Sequence, residues 1–155
     1  MTEPQQQKPV QISLGAQYIK DLSFESPNAP QIFAAANAQP EINIGVNVHS
    51  RGLGDHGYEV MLAIKLEAKL SGKIAYIVEL SYGGVFVVPA MPEEPLKLFL
   101  LTEAPRLLFP FARAIIADAV RDGGFAPMML SPIDFMALYQ SNKENVGTMQ
   151  TQGAA

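Results

Sequence analysis

The chain has 155 residues, which is enough for one domain with a hydrophobic core. Its net charge of −4 and pI of about 5.1 argue against nucleic-acid binding driven by phosphate neutralisation. Because the sequence contains no cysteine, disulfides, thiol catalysis and cysteine-ligated metal sites are excluded, and the composition suits a reducing cytoplasm.

Hydrophobic residues make up 48% of the sequence and charged residues only 17%. A single small domain does not need all of this apolar surface for its core, so we expect an oligomer interface or a binding groove. The polar N-terminus lacks the hydrophobic segment of a signal peptide, and no apolar run approaches the roughly 20 residues that cross a bilayer. We therefore expect no direct membrane insertion.

The first predicted strand, residues 11–25, follows a polar arm, residues 1–10, that is predicted to be disordered. Strand side chains alternate, so Leu22 and Phe24 point to one face. The opposite face carries Asp21, Ser23 and Glu25. Pro27 and Pro30 fix φ and remove ladder donors. Residues 30–40 are predicted to form a crossover loop, with a short helix as the alternative because alanine favours helix.

Three more strands are predicted at residues 41–50, 58–70 and 74–82. The first has apolar residues at every second position, which is the period of a strand: Ile42, Ile44, Val46 and Val48. A glycine-rich loop and a tight turn at residues 71–73 connect the strands, and Gly83–Gly84 is predicted to bend the end of the last one. Short connections of this kind favour an antiparallel sheet.

Helices are predicted after Pro92. The first opens at Leu96 and is interrupted by prolines, with Pro110 in the first turn of a second helix. Gly123–Gly124 is predicted to end that second helix. One broad apolar face of this helix is predicted to form an oligomer interface. Its residues are Phe111, Ile115, Ile116 and Ala119.

The last helix is predicted to begin with Ser131 as N-cap and to end near Asn142. Residues 144–155 are predicted to be a disordered tail. Strands followed by helices predict an α+β domain over residues 11–143, with helices packed on a four-stranded antiparallel sheet.

No catalytic motif is present: the sequence has no P-loop, GxGxxG, HExxH or GxSxG. His49 and His56 flank a glycine-rich loop near Asp55, where an acid–base or metal site is conceivable. Two loop histidines are far more often solvated surface residues. We therefore expect no enzyme, no metal and no cofactor.

Asp21 and Glu25 share one face of the first strand, and Ile77 and Glu79 share one face of the fourth. If both faces lie on the same side of the sheet, they form an acidic patch with one isoleucine. From the residues alone, an ordinary solvated face is the more common explanation, and a docking surface for a basic partner is the alternative.

Four blocks of the sequence, in this order, resemble the SecB family of protein-export chaperones. They are residues 18–30, 76–86, 107–113 and 130–139, and the resemblance extends from about Gln11 to Tyr139. It implies a cytoplasmic holdase that works without ATP, keeps precursor proteins unfolded and delivers them to the SecA motor. It also implies a homotetramer, arranged as a dimer of dimers with the long helix between the dimers.

The resemblance also implies site residues. Those that match SecA-binding positions are Asp21, Glu25, Ile77 and Glu79. The crossover loop, second strand and last helix would line a groove for unfolded clients, with candidates at Phe24, Ile42, Ile44, Met61, Phe135 and Leu138. The last residues, from Met149, carry no charged side chain, which leaves open whether the tail contacts SecA.

Two alternatives remain open at the level of sequence. One is a small-ligand-binding domain or an enzyme that uses the same groove, although the missing catalytic motifs count against it. The other is a SecB-like chaperone dedicated to a single client, such as a toxin–antitoxin pair, which sequence does not separate from general export.

Overall fold

The computed structural model describes residues 11–35 and 37–152, with side chains described up to Lys143. The four strands are β1 (Ser13–Glu25), β2 (Glu41–Gly54), β3 (Gly57–Leu70) and β4 (Lys73–Val87). The helices are α1 (Glu93–Leu101), α2 (Glu103–Asp122) and α3 (Phe135–Gln152), and a short 3-10 helix (Gln31–Ala35) lies between β1 and β2. The strands pair antiparallel in the order β1-β4-β3-β2. The predicted α+β class and four-stranded antiparallel sheet are therefore confirmed.

Two-residue turns join β2 to β3 and β3 to β4. Asp55 and His56 have φ values of 50° and 61°, and Ser71 and Gly72 have φ values of 50° and 78°. Consecutive left-handed residues match the right-handed twist of a hairpin, so both connections are tight. β2 consequently reaches Gly54, four residues beyond its predicted end at Ser50.

The predicted bend at Gly83–Gly84 is absent, because β4 continues through both residues to Val87. These glycines instead admit close packing on both faces of the sheet. A Cβ at Gly83 would lie 2.8 Å from the Tyr18 ring, and a Cβ at Gly84 would lie 2.8 Å from a methyl group of Leu108. The glycines are therefore required by neighbouring side chains and do not mark the end of the strand.

The core lies between the helix-facing side of the sheet and α2. Alternate residues of β3 are buried there: Val60, Leu62, Ile64 and Leu66. Ala112, Ile116 and Val120 of α2 are each 0% exposed. Ile116 is thus a core residue of the protomer, although the sequence placed it at an oligomer interface. Four-residue spacing identifies a stripe on a helix, but it does not tell which of two adjacent stripes meets the sheet.

α2 is one helix from Glu103 to Asp122, so the predicted break at Pro110 is wrong. A proline inside a helix costs one backbone hydrogen bond, which the packing of this helix on the sheet offsets. The chain breaks instead at Thr102, whose hydroxyl donates to the carbonyl of Leu98 at 2.5 Å. A side-chain bond to the preceding turn competes with the regular helical pattern at this position.

The predicted helix stop at Gly123–Gly124 is confirmed. Gly124 has a φ of 95° and its N–H bonds to the carbonyl of Arg121 at 3.0 Å. The N–H of Phe125 bonds to the carbonyl of Val120 at 3.1 Å. This pair of bonds is the Schellman arrangement, in which a left-handed glycine satisfies the last helical carbonyls.

α3 begins later and ends later than the sequence indicates. Asp134, rather than Ser131, caps it, because the Asp134 carboxylate accepts a hydrogen bond from the N–H of Ala137 at 3.0 Å. Serine and aspartate are comparable caps, so residue type alone does not distinguish the two positions. The helix continues to Gln152, through most of the predicted tail. The predicted N-terminal arm and residues 153–155 lie outside the described residues.

Within residues 11–35 and 37–152, no helix combines the length and the apolar character that crossing a membrane requires.

We expect Gly123→Ala to destabilise the protein. Gly123 has φ −75° and ψ −3°, which alanine adopts freely, but an added Cβ would overlap the ring of Phe24. Overpacking of this kind costs about 1–3 kcal/mol. Urea unfolding at a fixed protein concentration measures the loss.

The matched control is Gly45→Ala, because a Cβ at Gly45 would have no atom within 4 Å. This change should leave the free energy of unfolding unchanged or slightly raised. Equal effects of the two substitutions would contradict the close approach of Phe24 to the end of α2.

Candidate functional site

The sheet face opposite the helices carries all four residues predicted to bind SecA. In the pairing of β1 with β4, Glu25 lies opposite Ile77, and Ser23 lies opposite Glu79. Asp21, Glu25 and Glu79 are exposed and Ile77 is half-buried. We call this set, Asp21, Glu25, Ile77 and Glu79, the acidic face.

The neighbouring strand β3 adds charges that the sequence analysis did not include. Glu67 pairs with Ile77 across the strands, and Lys65 pairs with Glu79. Lys65 Nζ lies 3.5 Å from Glu79 Oε1, and Lys69 Nζ lies 3.8 Å from Glu67 Oε1. The alternating pattern of β3 predicts that Lys65 and Lys69 lie on the same face of the sheet. Only the strand register identifies the carboxylates with which they pair.

Glu59 holds three donors beside the acidic face. The Tyr18 hydroxyl donates to Glu59 Oε2, while Lys20 Nζ and an Arg51 guanidinium nitrogen each lie 3.3 Å from Oε1. The hydrogen bond from Tyr18, followed by Lys20 and Arg51, holds the pKa of Glu59 below its ordinary value against the opposing effect of burial. Burial and the bond to Glu59 raise the pKa of Tyr18 to about 12. The carboxylate is thus ionised and the phenol protonated at neutral pH.

This cluster fixes a shift in the register of β1. The pairing slips between Ile19 and Asp21, where Lys20 is the extra residue. Because Lys20 is held by Glu59, the slip is anchored beside a shallow depression of about 550 Å³ on this face. Asp21, the first paired residue after the shift, therefore has a defined position on the acidic face.

An aromatic cleft of about 320 Å³ lies on the helix side of the sheet, between the 3-10 helix and the end of α2. Phe33, Tyr76 and Phe125 line it, and Phe24 packs on Tyr76 and Phe125. Ring centroids are 5.0 Å apart for Phe33 and Phe125 and 4.9 Å apart for Tyr76 and Phe125. We call these four residues, Phe24, Phe33, Tyr76 and Phe125, the aromatic cleft.

Two side chains hold the crossover segment over the cleft. Ser26 Oγ donates to the carbonyl of Ala75 at 2.7 Å, and Asn28 Nδ2 donates to the carbonyl of Ile74 at 2.9 Å. Phe33 remains 39% exposed and Tyr76 is buried, with burial raising the pKa of the Tyr76 phenol. The cleft is therefore uncharged, apolar and open at Phe33.

The structure brings some of the predicted groove residues together. Phe24 belongs to the aromatic cleft, and Ile42 pairs with Ala68, which lines the cleft. Ile44 follows on the same face of β2 and is 48% exposed. Leu138 is partly buried against the core.

Two other predicted groove residues lie elsewhere. Met61 is on the opposite face of the sheet, in the depression beside Glu59. Phe135 is 4% exposed, with its ring 6.2 Å from that of Phe109. The sequence analysis missed Phe33 and Phe125. A signal for Phe125 is its position directly after the glycine helix stop, where a hydrophobic residue often contacts the last turn of the helix.

A second apolar surface joins α2 to β1. Leu107 and Phe111 are each 49% exposed, and Phe111 stacks on Tyr82 with ring centroids 6.3 Å apart. Ile19, which pairs with Tyr82, is 48% exposed and Leu22 is 41% exposed. Of the residues predicted to form an oligomer interface, Phe111 lies on this surface, Ile115 and Ala119 are half-buried, and Ile116 is in the core. We call the exposed set, Ile19, Leu22, Leu107 and Phe111, the edge surface.

In the part of the chain that the structure describes, no group of three or more histidine, cysteine or carboxylate side chains is placed to bind a metal ion. His49 lies in the depression on the outer face of the sheet, and His56 lies in the turn between β2 and β3.

Residues 4–146 match the sequence family described as preprotein translocase subunit SecB. The chain belongs to the SecB family. It is 50% identical to a protein-export protein SecB of Bradyrhizobium sp. over 95% of this chain and 91% of the relative. It is 49% identical to a protein-export protein SecB of Rhodopseudomonas palustris over 97% of this chain and 94% of the relative.

The fold is also similar to a solved SecB-like structure. A SecB-like chaperone of Mycobacterium tuberculosis, in complex with an antitoxin peptide, superimposes with a TM-score of 0.63 at 13% identity. The match covers 79% of this chain and 90% of that chain. At this identity the likeness supports the SecB fold alone.

Membership of the SecB family makes this protein a protein-export chaperone of the cytoplasm, and SecB chaperones are not enzymes. The family binds preprotein clients and SecA. The export role predicted from the sequence is thereby confirmed.

We expect Glu59→Gln to lower the free energy of unfolding at pH 7 by about 1–3 kcal/mol, since the amide oxygen of glutamine accepts hydrogen bonds without the charge that strengthens them. The folded-state pKa of Glu59 lies below the ordinary 4.5. Its stabilising contribution is therefore complete above pH 4.5 and is lost as the pH falls through the lowered pKa. Urea unfolding between pH 7 and pH 3 should show the difference from the unchanged protein shrinking with acid.

Glu67→Gln serves as the control, because it removes a carboxylate from the same face with only Lys69 nearby, at 3.8 Å. It should cost less than Glu59→Gln at pH 7. A cost of Glu59→Gln that stays constant down to pH 3 would argue against the described role of its carboxylate.

Proposed function

We propose that this chaperone holds unfolded clients at the aromatic cleft and docks on SecA through the acidic face. The observation that carries the proposal is that the two surfaces lie on opposite sides of one sheet. Phe24 points to the helix side, and its neighbour Glu25 points to the other side. A client and the motor can therefore be bound at the same time.

The cleft has the properties that an unfolded segment requires. Aromatic rings bury large areas, and offset or tilted ring pairs favour further apolar contacts. The open cleft, with Phe33 at its rim and Ile44 exposed along β2, suits extended apolar segments of varied sequence. Binding of the unfolded state without ATP slows folding and aggregation by mass action.

The acidic face has the properties of a docking surface for a basic partner. Exposed carboxylates mainly speed and orient association, while fully desolvated contacts hold the complex. Ile77 lies between Glu25 and Glu67 in the strand register, so an apolar side chain is flanked by two carboxylates. This arrangement combines steering with a small anchor.

We also propose assembly into a homotetramer, a dimer of dimers, through the edge surface and the exposed side of α2. Monomeric proteins rarely leave such a contiguous set of large apolar side chains open to water. The four side chains of the edge surface are between 41% and 49% exposed.

The separation of the two surfaces predicts opposite effects of two substitutions. Glu79→Lys should weaken SecA binding, because attraction becomes repulsion, and should leave client capture intact. Phe33→Ser should weaken capture of a reduced, unfolded test protein by about 1–3 kcal/mol, through lost apolar area, and should leave SecA binding intact. Paired titrations of each variant against SecA and the unfolded client measure all four affinities.

Added salt should weaken SecA binding by the unchanged protein far more than client capture, since exposed charges are screened within about 8–10 Å. If Glu79→Lys abolishes both activities together, or neither, the acidic face is not the docking surface. Equal binding of folded and unfolded test proteins would refute the holdase function of the cleft.

The assembly proposal predicts that Phe111→Asp yields smaller species in light scattering, because a charge on the edge surface opposes burial. Ile116→Asp is the contrast: Ile116 is 0% exposed in the protomer core. That substitution should unfold the chain, seen as lost helical circular dichroism. A stable monomer of the unchanged protein at micromolar concentration would rule out the tetramer.

A further inference from the structure

We propose that Lys65 is a competing cation that limits how tightly SecA docks, because it already pairs with one carboxylate of the acidic face. The inference rests on the docking function proposed above. Its basis is the cross-strand position of Lys65, which makes the three carboxylates of the acidic face unequal.

Lys65 is placed to reach Glu79 and no other carboxylate of the acidic face. It stands directly opposite Glu79 in the β3–β4 pairing, with Nζ 3.5 Å from Oε1. On its other side it stands opposite Gly45 of β2, which has no side chain, and the space above Gly45 is open. No charged side chain of β2 therefore stands directly opposite the lysine to compete with Glu79.

Asp21 and Glu25 differ from Glu79 in this respect. Their cross-strand neighbours are Ser81 and Ile77, which carry no charge. Among the residues that the structure describes, neither Asp21 nor Glu25 forms a salt bridge, whereas Glu79 does. A basic partner thus meets two available carboxylates and one that is already engaged.

The pair is open to a partner. The side chains of Lys65 and Glu79 are 58% and 52% exposed. Exposed ion pairs are weak, so a cationic group of SecA can displace Lys65. The displacement nevertheless subtracts from the affinity, and the displaced ammonium stays close to the incoming positive charge.

Lys65 therefore limits the affinity with which the acidic face binds SecA. An exposed charge acts mainly on the rate and orientation of association, so Lys65 lowers the affinity for SecA chiefly by slowing docking.

The test is a double-mutant cycle on the full chain, with SecA affinity measured by calorimetry at low salt. Lys65→Gln should tighten SecA binding by about two- to five-fold, the size expected for releasing one exposed ion pair. Lys69→Gln is the matched control: it removes the same charge from the same strand, about 13 Å further along, where the lysine pairs with Glu67. It should tighten binding less.

The decisive arm is Lys65→Gln combined with Glu79→Gln. In that background the effect of Lys65→Gln should shrink to that of Lys69→Gln, because the engaged carboxylate is gone. Thermal unfolding verifies that each variant is folded, and capture of an unfolded client should be unchanged in both lysine variants.

Three results would overturn the inference: no gain from Lys65→Gln, an equal gain from Lys69→Gln, or a gain that persists undiminished without Glu79. The underlying docking proposal fails separately. If Glu79→Gln leaves SecA affinity unchanged, both proposals are rejected. If Glu79→Gln weakens docking while Lys65→Gln has no effect, only the competition is rejected.

Discussion

The pairing of β1 with β4 is the constraint on which both binding surfaces depend. Successive side chains of β1 go to opposite sides of the sheet, so Phe24 enters the aromatic cleft while Glu25 joins the acidic face. A slip of one residue would exchange the two sets. The register shift at Lys20, anchored by Glu59, and the stiff exit at Pro27 hold the segment between them in place.

Close backbone approach is the second requirement, and glycines meet it. The ring of Phe24 packs on Gly123 and the ring of Phe33 lies near Gly124, so both rings contact the end of α2 where it has no side chains. On the other face, Gly83 accepts the ring of Tyr18, whose hydroxyl reaches Glu59. The same backbone feature thus supports a surface on each side of the sheet.

Local sequence determined much of this protein. Alternation in β2 and β3 predicted their strands, because one buried face leaves a period of two. Alternation also placed Asp21 and Glu25 on one face of β1, and the glycine pair ended α2. Four ordered blocks indicated the SecB family, and with it the export function. The strands and the helix stop are encoded in a few consecutive residues, whereas the family is indicated by the order of four blocks along the chain.

Tertiary structure decided which apolar side chains are buried and which distant residues meet, because residue spacing within one element does not determine either. Ile116 and Phe111 lie on adjacent stripes of α2, and only packing on the sheet buried the first and exposed the second. Alternation along β3 already places Met61 on the face opposite Val60 and Leu62, and the packing of the helices on Val60 and Leu62 makes the Met61 face the outer one. The ring contact between Phe33 and Phe125 and the salt bridge between Lys65 and Glu79 each connect residues that are not neighbours in the sequence. Such contacts follow from register and close packing, which no local pattern encodes.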